Sequence, residues 1–513
     1  MPYRFLFVAA ENDAIADCKA GGLGDVVRDV PREIAARGDQ VSVVVPSYGR
    51  LHQKGQRIAE VAFPFAGTGY KAELFKVMPK KEFPGIAHYV LHHPEITAGQ
   101  IAHMYHHDPE GPFYNDALKF SIFCTAVAAA VQQGCFGSLE VIHLHDWHTS
   151  LLLFLREFSS DYPELGKIRI VYTIHNLAIQ GIRPLRNNPS ALETWYPGCA
   201  YDLSALQDPR YPDCVNLMAL GIRRADAVHT VSPSYMQDIL KPSAPPEFIG
   251  GEGLEADLVA AREESRLFGL LNGCNYKNIR TATRGRLFPN TIQEIFRWLQ
   301  MEDKKYKADF LAHTGEKVFR FMENSPSFIC TSVARLTEQK FYFFKNTPHV
   351  LEGILERLRE VNGVYMLLGT GVPEYEEFFR EVSYNFPNFI FTNAQSEDLI
   401  DSMYLETDLY LMPSLFEPCG ISQMLSMRNG NPCFAHATGG LNDTIRHMET
   451  GFLFGGESYD AKIENMERVF KEVVELFFKD QEQWQKIRKS AEKERFTWKA
   501  AVAGYYRDLY RLK

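Results

Sequence analysis

Cysteine is scarce in this chain: nine residues in 513, scattered from Cys18 to Cys433 without a C-x-x-C pair. That usage excludes a zinc ribbon and a secreted disulfide framework, and it reads as free thiols in a reducing compartment. A basic surplus is missing as well. Lys and Arg number 55 against 64 Asp and Glu, a formal charge of -9, so the chain lacks the footprint of a general nucleic-acid binder. The most apolar stretch, Phe120 to Val131, falls short of the ~20 residues a membrane span needs. The apolar run before Glu11 is too short for a signal h-region. These absences predict a cytoplasmic protein with neither a nucleic acid nor a membrane as partner. Phosphate-loop and dinucleotide fingerprints are absent too: no G-x-x-x-x-G-K-[ST] occurs, and neither Gly22-x-Gly24 nor Gly369-Thr370-Gly371 carries the third glycine.

What is present is ordinary globular protein, 45% hydrophobic and 23% charged, long enough at ~100–200 residues per domain for two to four domains. Short apolar runs alternate with helical stretches. The strand candidates are Arg4–Ala9, Val41–Val45, Ile86–Leu91, Val141–His145, Ile168–Ile174 and Ala227–Val231, then Phe328–Val333, Val364–Leu368, Phe389–Thr392, Leu409–Met412 and Cys433–His436. Several are apolar at nearly every position, as parallel strands covered on both faces must be. The fold class is therefore α/β, with doubly wound sheets. Lys241 to Met322 has the weakest strand signal and reads as an interdomain connection. Two such domains predict a cleft at the carboxyl ends of both sheets.

Chemistry-bearing residues fall where strands end. After the first strand come Lys19-Ala20-Gly21-Gly22-Leu23-Gly24-Asp25, opening a helix whose apolar positions recur until Gly38. Exposed N–H groups and the positive end of a helix dipole suit an anion there, and Lys19 adds a full charge. Pro31 inside this helical run predicts a kink or restart. His143-Leu144-His145-Asp146-Trp147-His148 invites a metal, but on a strand His143 and His145 share a face and no second cluster has ligand spacing. Asp146, Trp147 and the histidines suit a sugar better, with polar partners for hydroxyls and an aromatic ring for the apolar face. The doublets His92-His93 and His106-His107 read as surface. His175-Asn176 ends the next strand. Arg335 and Lys340 share one strand-to-helix loop and form a natural diphosphate clamp. Glu417, in Pro413-Ser414-Leu415-Phe416-Glu417-Pro418-Cys419-Gly420, is placed to accept hydrogen bonds from sugar or ribose hydroxyls, and Thr438-Gly439-Gly440 forms a nest for phosphate oxygens.

Taken in order, K-x-G-G-L-x-D, H-x-H-D-W-H, T-I-H-N-L-A-x-Q-G, Leu271-Asn272-Gly273, R-L-T-x-Q-K, L-L-G-x-G, P-S-x-F-E-P-C-G and T-G-G-L-x-D-T resemble the bacterial glycogen synthases and plant starch synthases, retaining glycosyltransferases of family five with the GT-B fold. The resemblance runs essentially end to end. It implies two Rossmann-like domains, 1–270 and 271–493, with a terminal helix, 494–513, returning to the first. It implies transfer of glucose from ADP-glucose to the 4-hydroxyl at the non-reducing end of an α-1,4-glucan such as glycogen or a maltooligosaccharide, with no metal and no other cofactor. By motif, Lys19, Asp146, His175, Arg335, Lys340 and Glu417 would be catalytic, with Arg335 and Lys340 neutralising the departing diphosphate. Gly21, Gly22, Asp25, Asn272, Gly371, Thr438, Gly439 and Gly440 would hold the donor, and Tyr114, Asn115, Trp147 and Asn176 the acceptor.

The chain departs from the family's common pattern at Ala219 and Asn275, at Ile279 where a Trp is expected, and at Val372. Phe341 replaces the Gly after the clamp Lys and is expected to reshape that loop. Gln395 stands where an aromatic often packs on the base; losing that stacking costs ~1–3 kcal/mol and leaves adenine or uracil open. The alternatives are therefore the same reaction with UDP-glucose or relaxed donor choice, a weakly active glucan-binding regulatory paralogue, and a pyridoxal-phosphate glucan phosphorylase.

Overall fold

The computed structural model describes residues 2–97, 104, 114–276, 285–301 and 308–512. The chain divides into two compact units, 1–243 with 250–272 and 498–513, and 244–249 with 273–497. His106, His107 and Ile279 lie outside the described residues.

The first unit is built on a nine-stranded sheet. Its strands in chain order are β1 (Arg4–Val8), β2 (Gln40–Pro46), β3 (Gln56–Phe65), β4 (Thr68–Val77), β5 (Ile86–His92), β6 (Val141–His145), β7 (Arg169–Ile174), β10 (Ala227–Thr230) and β11 (Leu267–Gly269), while β8 (Ile182–Pro184) and β9 (Cys214–Asn216) form a separate ribbon. The spatial order is β11-β10-β7-β6-β1-β2-β5-β4-β3. All neighbours are parallel except the β3–β4 hairpin and its junction with β5. Strands β1, β2, β6, β7 and β10 are buried almost throughout, which is why they read as continuous apolar runs. Helix α1 (Gly22–Ala36) buries Leu23, Val26, Val27, Val30 and Ile34, and runs unbroken through Pro31. The expected restart is absent: that apolar face, closed on the sheet, outweighs the one hydrogen bond the proline removes. Helix α2 (Tyr114–Gln132) contains the apolar stretch Phe120 to Val131, buried on all sides as a central helix must be. Among the described residues no helix is long and apolar enough to cross a membrane. The terminal segment Trp498–Tyr510 packs Trp498, Tyr505, Tyr506 and Tyr510 against Phe5 and Phe7 of β1.

The second unit carries six parallel strands: β12 (Phe328–Val333), β13 (Gly363–Leu368), β14 (Phe389–Thr392), β15 (Leu409–Met412), β16 (Cys433–His436) and β17 (Phe452–Phe454). Their order, β14-β13-β12-β15-β16-β17, is that of a doubly wound mononucleotide-binding sheet, whose strand order reverses between β12 and β15. In the first unit the corresponding reversal lies between β1 and β6. Ligands of such sheets bind outside the carboxyl ends at the reversal. The loops after β1, β6, β12 and β15 are therefore the places to look.

Phe341, expected to reshape the loop after the clamp lysine, sits at a kink there. It is 1% exposed, takes a non-helical φ/ψ of -134°, 25° within the helix Glu338–Asn346, and packs edge-on to Phe379 at 5.0 Å. The kink turns the ring into the core. His92 and His93, expected on the surface, are half-buried, and His92 stacks on His52 at 3.7 Å.

Candidate active site

In the first unit the loop after β1 folds around a carboxylate that sequence reasoning passed over. Glu11, 2% exposed, accepts the N–H groups of Ala20 and, at 2.7 Å, of Gly21. A Cβ on Gly24 would stand 3.2 Å from its Oε2. The anion at this helix start is thus supplied by the chain itself. A lone Glu two residues past the apolar candidate strand Arg4–Ala9 was the available signal. Lys19, beside it, donates to Asp25 Oδ1 at 2.8 Å and lies 3.6 Å from Asp13. Burial pulls the ammonium down, but Asp25 and Asp13 more than offset it, and its pKa is raised. Asp25 also pairs with Arg28 at 2.9 Å, so it orders both cations. Lys80, 2.8 Å from Asp13, completes the network.

At the end of β6, Asp146 is buried and takes φ +55°, ψ -178°, a strained conformation for a non-glycine residue. Its Oδ1 accepts the His175 N–H at 2.7 Å, tying the loop after β6 to that after β7. Burial raises its pKa from 3.8 to about 7, against the lowering by the backbone N–H groups of His175 and Asn176 and with a further rise from Glu11. Trp147 is 2% exposed, edge-on to Phe120 at 5.5 Å and close beneath Gly181, where a Cβ would meet it at 2.3 Å. At 2% exposure the indole offers no open face to a sugar. Tyr114 begins α2 with the Arg183 guanidinium 5.9 Å from its ring, next to half-buried Asn115. Asn176 closes a turn by accepting the Ala178 N–H at 3.0 Å. Asn272 is buried and its Oδ1 has no partner among the described residues.

Behind this edge runs a hydrogen-bond chain whose direction is determined. The Leu270 carbonyl can only accept, so His229 donates from Nε2 at 3.2 Å and accepts at Nδ1 from the Thr173 hydroxyl at 2.9 Å. Thr173 must then accept from His143 Nε2–H at 2.6 Å, and His143 Nδ1 accepts from the Tyr510 hydroxyl at 3.0 Å. Burial holds His143 well below its ordinary pKa and His229 at about 4, so both are neutral. Among the described residues no group of three or more His, Cys, Asp or Glu side chains is placed to hold a metal ion.

In the second unit the loop after β15 is clamped along its length. Glu417, 5% exposed, accepts from Ser414 Oγ at 3.1 Å and pairs closely with the Lys340 ammonium. His436 Nδ1–H donates to the carbonyls of Ser414 and Leu415 at 2.9 and 3.1 Å. The Gly440 N–H donates to the Glu417 carbonyl at 3.0 Å, and a Cβ on Gly440 would stand 2.4 Å from Cys419 Cα. The Thr438 N–H is likewise engaged, by the His436 carbonyl at 2.9 Å, while Gly439 takes φ +43°. Gly440 therefore holds the Glu417 loop from the start of the helix Gly439–Thr444. Gly371, where a Cβ would meet the Leu336 carbonyl at 2.1 Å, donates its N–H to Glu376 at 2.9 Å. Gln395 bonds Thr370 Oγ1 at 3.2 Å, and Val372 is exposed. Arg335 is exposed and makes no hydrogen bond or ion pair among the described residues.

Two mononucleotide-binding sheets with polar loops at their reversals define a GT-B glycosyltransferase. Comparison with known proteins takes the assignment further. A family model described as the starch synthase catalytic domain matches residues 4–260, and one for glycosyl transferases group 1 matches 319–493. Glycogen synthase of Streptococcus equi subsp. equi is 30% identical over 99% of both chains, and that of Bacillus cereus strain Q1 30% identical over 97% of this chain and 98% of its own. The catalytic domain of starch synthase IV from Arabidopsis thaliana, described as bound to ADP and acarbose, superposes with TM-score 0.76 at 24% identity, covering 100% of this chain and 99% of that one. Sucrose-phosphate synthase from Thermosynechococcus elongatus shares the fold more distantly, with TM-score 0.56 at 16% identity over 99% and 98%. The chain belongs to the starch synthase catalytic-domain family, and it is an enzyme of the glycogen and starch synthase kind.

Proposed function

We propose that this enzyme transfers glucose from ADP-glucose to the 4-hydroxyl at the non-reducing end of an α-1,4-glucan, with retention of configuration, and that it does so in the cytoplasm. The observation that carries the reading is the Glu417 loop: a buried carboxylate bonded by Ser414 and Lys340 at the strand-order reversal, with Arg335, unpaired among the described residues, on the neighbouring loop. Breaking the bond to a nucleoside diphosphate builds negative charge on the leaving group. Arg335 and Lys340 would stabilise that charge more than they stabilise the ground state. They would do this as fixed cations, so no metal ion is required. Glu417 would accept donor hydroxyls. Lys19, Gly21, Gly22, Asn272 and Gly371 would hold the donor with Thr438, Gly439 and Gly440. Asp146, His175 and Asn176 would line the sugar side, with Tyr114 and Asn115 toward the acceptor.

The ADP and acarbose bound to the Arabidopsis starch synthase domain support an adenine donor and a glucan acceptor. One observation favours a second reading, transfer from UDP-glucose: the carboxamide of Gln395, bonded to Thr370, is not a stacking surface for a purine. Incorporation of labelled glucose into glycogen, from ADP-glucose and UDP-glucose in parallel and with excess EDTA, tests all of this. Transfer from ADP-glucose that survives EDTA and is lost in Glu417→Ala is the expected result. Preference for UDP-glucose would overturn the donor assignment, and silence with both donors from folded protein would overturn the reaction.

A further inference from the structure

The residues the reaction does not obviously need include His145, on β6 beside Asp146. It is fully buried, its ring stacked on those of both Phe7 at 5.6 Å and His143 at 4.5 Å. Its Nδ1 lies 3.0 Å from Nε2 of His175. Its Nε2 is buried with no partner among the described residues. His175 is half-buried, and no bond from its own Nδ1 is seen within the described residues. We propose that His145 is a positioning residue that fixes the tautomer of His175, so that His175 meets its ligand as an Nδ1–H donor.

The argument is one of proton placement. Burial drives both imidazoles toward the neutral form, His145 well below its ordinary pKa and His175 to about 3, so a single proton lies between them. If His175 supplied it from Nε2, His145 would have to carry its own proton on Nε2. That would bury an N–H with no acceptor, the rarest kind of polar orphan. If His145 supplies it from Nδ1, only a lone pair is left in the buried contact. His175 Nε2 then accepts, and its proton must sit on Nδ1. The neighbouring chain cannot reverse this choice, because His143 spends its two nitrogens on Thr173 and Tyr510. A neutral imidazole with a fixed N–H is a hydrogen-bond donor to a sugar oxygen and a poor base. His175 would thus orient the glucosyl group rather than remove the acceptor's proton.

This rests on the proposed placement of His175 at the sugar, and the test separates the two ideas. The full chain, labelled with 15N in histidine, is examined by long-range proton–nitrogen correlation. The His175 signals are identified by their loss in His175→Gln. Wild-type His175 is expected as the Nδ1–H tautomer, a result that needs no turnover. In His145→Leu the His175 signals are expected to move to a mixture of tautomers, with kcat falling about tenfold, one 1.4 kcal/mol step, and the donor KM nearly unchanged. In His145→Asn the amide nitrogen takes the place of Nδ1 and should restore both the tautomer and most of kcat. An Nε2–H tautomer in wild type overturns the proposal, as does a Leu variant with wild-type kcat or an Asn variant no better than Leu. If the Leu variant does not fold, the wild-type spectrum and the Asn variant decide. Wild-type enzyme without glucosyl transfer, but with the Nδ1–H signal, would instead count against the functional reading alone.

Discussion

Replacing Asp146 by Asn should make the first unit more stable in alkali and leave it unchanged in acid. The wild-type carboxyl titrates at about 7 when folded, against 3.8 for an ordinary Asp. The folded state therefore favours the protonated form. Its contribution to stability is complete below 3.8 and is lost as the pH rises through 7. At about 1.4 kcal/mol for each unit, the interval amounts to about 4 kcal/mol of stability forfeited well above pH 7. The Asn variant keeps an oxygen to accept the His175 N–H, tolerates a positive φ as Asp does, and carries no charge to bury. Because the chain has two units, a single unfolding midpoint would mix their responses, so local opening is the better measure. Hydrogen exchange in peptides spanning β6 to His175 would be compared between variant and wild type, each at about pH 3 and about pH 9. Comparing at one pH cancels the chemistry of exchange itself. Protection is expected to match at the lower pH and to favour Asn by up to about 4 kcal/mol at the higher. Equal differences at both pH values, or a variant weaker in alkali, would refute the claim that burial of this carboxyl is under tension.

Other perturbations have outcomes that the geometry orders in advance. Arg335→Ala should lower kcat by about a hundredfold or more with no change in melting temperature, because the side chain has no partner among the described residues. Lys340→Met should cost activity and also several kcal/mol of stability, about 3–5 for a buried carboxylate left unpaired, since Glu417 loses its cation; calorimetry with kinetics distinguishes the two. Gly440→Ala places a Cβ 2.4 Å from Cys419 Cα, and the forced shift should cost about 1–3 kcal/mol and raise the donor KM, measured by saturation kinetics. Tyr510→Phe leaves His143 Nδ1 without its donor, so exchange in the terminal segment should quicken by about 1 kcal/mol of lost protection.

Much of the scaffold is legible without coordinates because parallel strands covered on both faces are apolar at nearly every position. Val141–His145, Phe328–Val333, Phe389–Thr392, Leu409–Met412 and Cys433–His436 appear at the expected limits. The strands that escaped notice obey a different rule. The β3–β4 hairpin lies at the sheet edge and alternates apolar with charged residues, among them Arg57 paired with Glu73 across the strands and Lys71 with Glu60. Its turn, Ala66-Gly67 at φ +51° and +73°, was the local clue. Strands β8, β9, β11 and β17 have three residues each, too few for any period to emerge.

By itself, the sequence determined the fold class, the location of the polar loops at strand ends, and the family. Hydrophobic periodicity and ordered motifs are local, and they survive in one dimension. Tertiary structure decided what each side chain in those loops is free to do. It placed Glu11 on the N–H groups expected to await a phosphate, turned Trp147 and Phe341 into the core, and engaged the Gly440 amide with the Glu417 carbonyl. Burial, charge and proton position depend on neighbours far away in the chain: Tyr510 lies 367 residues from His143, whose tautomer it helps to fix. No pattern of spacing within a strand can carry that information, because the partner that settles the proton belongs to a different element.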